Sequence, residues 1–88
     1  MKNNMNSFVK AKVNINITPG EMLKTIRELQ GLSQKDLSEL TGISQSNISA
    51  LETNIRNIGR DRALVLAKAL KVHPAVILFP DYQLEEVA

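Results

Sequence analysis

The stretch from Ser33 to Glu52 constrains this chain more than any other feature. Ser33, with Asp36 three residues on, has the pattern of an N-cap whose third residue reaches back to it. Leu37 and Leu40 are the expected inward positions of the helix that follows. Gly42 reaches positive φ at no steric cost, so it ends that helix and makes the turn. Ser44 caps the next helix, which is expected to run to about Thr53. Ile48 and Leu51 form its inner stripe, with Ile43 just before the cap and Ile55 beyond the end. Ser38 is small and lies mid-helix, where the second helix must come close. Two helices crossing steeply through a short turn make a helix-turn-helix.

The outer face of the second helix carries Gln45, Ser49 and Thr53 four residues apart, with Ser46 and Ala50 beside them. None is large and apolar, and no charge occurs before Glu52. A helix exposed only for solubility is usually filled with Lys and Glu. Short polar side chains instead let a helix enter the major groove and bond base edges. Glutamine pairs bidentately with adenine, and serine is permissive. Gln45 and Ser46 lie in the first turn, the end that reaches bases in this motif. Ser44 and Asn47 share that turn and complete the candidate set there. For Ser49, a solvated helix residue and a base contact are both open readings.

The rest of the chain supplies three further helices. The first is expected from Thr18, where Thr18-Pro19-Gly20-Glu21 offers a cap, a proline at the first helical position and a capping-box glutamate. Met22, Leu23, Ile26 and Leu29 form its apolar face, and Gly31 stops it. The fourth covers roughly Arg60 to Lys71, with Ala63, Leu66, Ala67 and Leu70 at helical spacing. The fifth is opened by Pro74 and closed by Pro80, with Val76 to Phe79 between them. Those four apolar residues cannot all face inward on one short helix, so some are expected to cover a second copy.

Residues 9–17 differ. Val9, Ala11, Val13, Ile15 and Ile17 alternate with Lys10, Lys12, Asn14 and Asn16, a period of two that signals a strand. A lone strand needs a partner, so this segment is read as a dimerisation strand or, through its lysines, as an arm along DNA. The expected organisation is an N-terminal arm or strand at 1–17, a helix-turn-helix DNA-binding domain at 18–80 and an acidic tail at 81–88.

Several spaced motifs together resemble the Cro / phage-repressor (xenobiotic-response-element type) family of five-helix DNA-binding domains. They are Gly31-Leu32-Ser33-Gln34, Gly42-Ile43-Ser44-Gln45-Ser46 and Leu66-Ala67-Lys68-Ala69-Leu70-Lys71-Val72. The resemblance covers roughly residues 20–80 and implies an all-α, compact, lambda-repressor-like fold, here with an N-terminal strand-like extension. It implies that Gln34 contacts phosphate and buttresses Gln45, that Ser46 touches bases, and that Thr53, Asn54 and Arg56 meet phosphate or a base. For Arg56 a purely structural surface role stays open, and Lys35, Arg60 and Arg62 read as solvated or ion-paired. Three features depart from the family pattern: His73 where a Ser or Asp cap is usual, Ser38 where alanine is more common, and the strand-like segment.

Composition closes other routes. There is no cysteine and one histidine, so disulfides and ordinary zinc sites are not expected. Aromatics make up 3%, so the core must be aliphatic. No apolar run is long enough to span a membrane, and Lys2 is followed by no signal-like apolar stretch. A cytoplasmic protein is the expectation. Three of the nine acids fall in residues 81–88, so eleven bases face six acids in the remainder, a mild excess that suits phosphate. No nucleophile–base pair or glycine-rich phosphate loop is present, so no enzyme, cofactor or small-molecule substrate is expected. The reading is a repressor that binds double-stranded DNA as a homodimer on a palindromic operator. One alternative, implied by the family, is an antitoxin that autoregulates its operon and binds a toxin protein. Another is a pure protein-interaction module.

Overall fold

A computed structural model describes residues 17–81. Five helices follow one another in that span: α1 (Pro19–Leu29), α2 (Gln34–Thr41), α3 (Gln45–Glu52), α4 (Arg60–Leu70) and α5 (Pro74–Leu78). No strand occurs among the described residues. The alternating segment at 9–17 lies outside them except for Ile17, and the acidic tail lies outside them beyond Asp81.

Each of the first three helices starts where its cap dictates. Thr18 Oγ1 accepts from the Glu21 N–H at 3.1 Å, and Glu21 Oε1 accepts from the Thr18 N–H at 3.0 Å. Ser33 and Asp36 repeat this box at 2.9 Å in both directions. Those bonds hold the Asp36 carboxyl below its ordinary range, the backbone bond from Ser33 contributing most. Ser44 Oγ accepts from the Asn47 N–H at 3.2 Å. Such caps are each worth about 1 kcal/mol. At α5 the job falls to His73, whose Nδ1 accepts from the Ala75 N–H at 3.0 Å, so the departure from the usual cap costs no bond. Gly42 has φ +80 and returns its N–H to the Ser38 carbonyl at 2.8 Å, which closes α2 and turns the chain toward α3.

The core is aliphatic. Leu23, Leu37, Ile48, Leu66, Leu70 and Ile77 are fully enclosed, with Ile26, Ile43, Leu51, Ile58, Ala63 and Ala67 around them. Burying each large side chain contributes about 1.5–3 kcal/mol. Helix α3 packs against both α1 and α2, while α5 packs on α4 and α1. Helix α3 is therefore clamped from two sides.

Three expected inward residues face out. Leu29 is 81% exposed, Leu40 60% and Ile55 78%. The cause is helical geometry. At about 100° per residue, Leu29 lies roughly 120° around α1 from Leu23, and Leu40 lies about 60° around α2 from Leu37 and about 100° from Thr41. Ile55 follows the end of α3, and Ile58 enters the core in its place. On α5 only Ile77 is enclosed, and Val76 and Phe79 are exposed, as the crowding of four apolar residues required.

Candidate nucleic-acid interface

The interface is built on a rigid back. Ile48 and Leu51 are 0% and 2% exposed. They fix the roll of α3, so its opposite side is committed to solvent. On that side Ser44, Gln45 and Ser46 are exposed, and Asn47, Ser49 and Ala50 are half-buried. Hydrogen bonds in this turn join Ser44 to Asn47 and, at 3.3 Å, to Ser46. Among the described residues the Gln45 amide stays outside that local network, and its side chain is exposed.

Beyond α3 the chain folds back on itself. The Ala50 carbonyl accepts the N–H of Ile55 at 2.9 Å and of Arg56 at 3.1 Å. Asn54 makes this turn with φ +66, a left-handed conformation that asparagine tolerates better than most residues. Thr53, Asn54 and Arg56 are all exposed beside the end of α3. The Thr53 hydroxyl donates to the Ser49 carbonyl at 2.9 Å, so its hydrogen must swing away before it can serve a phosphate. Lys35, Arg60 and Arg62 are exposed as well.

Gln34 opens α2 and is half-buried. Its Nε2 donates to Glu52 Oε1 at 3.0 Å, so its side chain is held by the last residue of α3 and not by Gln45. Glu52 was expected on the outer face, yet it is 4% exposed. It receives Arg27 Nε at 2.6 Å on one oxygen and Arg27 Nη2 at 3.0 Å on the other, a two-point charge-assisted pairing. Arg27 is 7% exposed and also donates Nη1 to the Leu32 carbonyl at 2.7 Å. The hydrogen bond to Glu52 raises Arg27 above the ordinary arginine value; burial works the other way, and the charges of Glu52 and Glu28 add to the rise. No buried side-chain nitrogen or oxygen among the described residues lacks a partner.

The sequence reading missed this pair, and it missed Gly20. Glu52 stands four residues after Ile48, and Arg27 four after Leu23. Helical spacing thus put both charges on inner faces, and two opposite charges at inner positions were the available signal. Gly20 lies on the same side of α1, three residues before Leu23, and is buried.

No group of three or more metal-ligating side chains occurs among the described residues. No helix there is long and apolar enough to cross a membrane. What the arrangement offers is a solvent-facing amide and hydroxyls on a clamped helix, with Arg56 exposed just beyond its end.

The helix-turn-helix family profile matches residues 23–77. The P22 c2 repressor protein, solved in complex with synthetic operator 9T in the presence of Tl+, is similar with a TM-score of 0.68 and 26% identity, over 73% of this chain and 97% of that one. The restriction-modification controller protein C.AhdI from Aeromonas hydrophila is similar with a TM-score of 0.65 and 33% identity, over 68% and 91%. No curated protein sequence matches significantly.

Proposed function

Because the chain belongs to the Cro/C1-type helix-turn-helix family of DNA-binding regulators, we propose that it represses transcription as a homodimer on a palindromic operator. Each subunit sets α3 in a major groove, with half-sites about one helical turn, roughly 34 Å, apart. Gln45 and Ser46 read base edges, with Asn47 and Ser49 further along the helix. Gln34 and Ser44 hold the sugar-phosphate walls, and Thr53, Asn54 and Arg56 meet phosphate or a base. The observation that carries the reading is the exposed first turn of α3, Ser44 to Ser46, backed by the enclosed Ile48 and Leu51. Two similar structures, a repressor solved with its operator and a restriction-modification controller, support it.

Dimerisation draws on the apolar residues that α4 and α5 leave outside. Leu64 is 49% exposed, Val65 42%, Val76 41% and Phe79 61%. Exposed apolar groups of this size on adjacent helices mark an interaction surface. The antitoxin alternative rests on residues 1–17 and 81–88, whereas the two similar structures are by description a repressor with its operator and a restriction-modification controller, so the repressor reading stands first.

Selection of bound sequences from a random DNA pool tests the proposal. An operator with two related half-sites is expected, and binding that weakens steeply with salt. Gln45→Ala is expected to lose about 1–3 kcal/mol and to relax one base position in each half-site. Absence of any binding at low salt favours the protein-interaction reading. An unchanged operator affinity in Gln45→Ala removes that residue from the base contacts.

A further inference from the structure

We propose that Gly20 is a positioning residue for DNA reading, setting where the far end of α3 and the side chain of Asn54 stand against the groove. The inference rests on the reading above and deepens it. Gly20 is buried in the first turn of α1. A Cβ built there overlaps the Leu51 carbonyl oxygen and stands 2.7 Å from Asn54 Oδ1 and 2.9 Å from the Glu52 carbonyl oxygen. Two of the three are backbone atoms of α3, so relief cannot come from a rotamer change. Either α1 or α3 has to move. The third is the side chain of a proposed DNA contact whose backbone is already in the left-handed region. Gly20 thus leaves the gap that Asn54 leans into.

Electrostatics favour the same contact. The first turn of α1 is the positive end of its dipole, and the Leu51 and Glu52 carbonyls form the negative end of α3. A helix start and a helix end are drawn together, and only the missing side chain lets them close. Gly59 supplies the contrast, since a Cβ there meets nothing within 4 Å.

A merely structural glycine and a positioning one separate in one ratio. Lost stability lowers the folded fraction and weakens operator and random-sequence DNA alike. A displaced α3 weakens the operator and spares random DNA, which is held through phosphates. The experiment measures affinity of the full chain for a selected operator and for random duplex of equal length. Gly20→Ala is expected to lower the specificity ratio by roughly tenfold or more, the scale of one base contact. Random-duplex affinity, corrected for folded fraction, stays within about twofold. Gly59→Ala, and Ala63→Gly as a destabilised control away from the interface, are expected to keep the ratio. Should Gly20→Ala unfold in buffer, sucrose restores the compact state for the same comparison. Thr18→Ala, which removes only the cap of the same turn and leaves Gly20 in place, is expected to keep the ratio. An unchanged ratio in folded Gly20→Ala overturns the role of Gly20. A native chain with no operator preference overturns the DNA reading itself, and this inference with it.

Discussion

Replacing Glu52 by leucine is the sharpest test of how the interface is supported. The substitution takes away both oxygens that receive Arg27, one of which also receives Gln34. The guanidinium keeps its bond to the Leu32 carbonyl and a 3.9 Å ion pair with the exposed Glu28, in a place where Arg27 is 7% exposed. An orphaned buried charge of this kind costs about 3–5 kcal/mol. Surface screening gives little relief, because both partners are almost wholly enclosed. A domain of this size is held by only about 3–10 kcal/mol in total, so the single variant is expected at the edge of folding. Arg27→Met strands the carboxylate instead and is expected to cost a similar amount. The double variant Arg27→Met with Glu52→Leu strands nothing, and apolar replacement of a buried pair is often neutral or better. It is therefore expected to recover at least about 3 kcal/mol relative to the sum of the singles. Urea unfolding followed by circular dichroism reads all four proteins. With a slope near 1 kcal/mol per molar, the midpoint of each single variant should fall by about 3 M or the native baseline should vanish. A Glu52→Leu cost under about 1 kcal/mol, or a double variant no better than the worse single, would refute the reasoning.

Further outcomes follow from the caps and the turn. Asp36 is held below its ordinary value of 3.8, so the folded state binds its proton less readily than the unfolded chain. Its contribution is present above that pH and fades as pH falls toward the lower folded value. The gap in melting temperature between the native chain and Asp36→Ala should accordingly narrow below pH 3.8, and a constant gap would count against the capping bonds. Gly42→Ala forces a β-carbon into φ +80 with open space around it, so it should cost about 1–2 kcal/mol from backbone strain alone. Thermal unfolding of that variant checks the figure.

Much of the fold was legible because local rules agreed. Thr18, Ser33, Ser44 and His73 each start a helix where the sequence places a cap. Ala63, Leu66, Ala67 and Leu70 are all enclosed, as their spacing on α4 requires. Leu29 and Leu40 misled because hydrophobicity was weighed above angular position, and a leucine can sit off the stripe without penalty. The solvent side of α3 was legible from Gln45 and Ser46, whose exposure the apolar positions behind them imply. The support beneath it was not. Arg27, Glu52 and Gln34 meet only when three helices are assembled, and no spacing within one helix reveals that Gln34 turns toward Glu52. Gly20 was readable as small, but its near neighbours come from residues about thirty positions away.

The fold-back of Ile55 and Arg56 onto Ala50 has a thermodynamic consequence. A basic residue on a floppy connector must surrender its wandering each time it settles on a phosphate. Here the backbone of Arg56 is already moored to the helix beside it, so that ordering was settled during folding. On the proposed reading, the backbone of Arg56 and α3 reach the DNA as one piece, with less motion left to freeze.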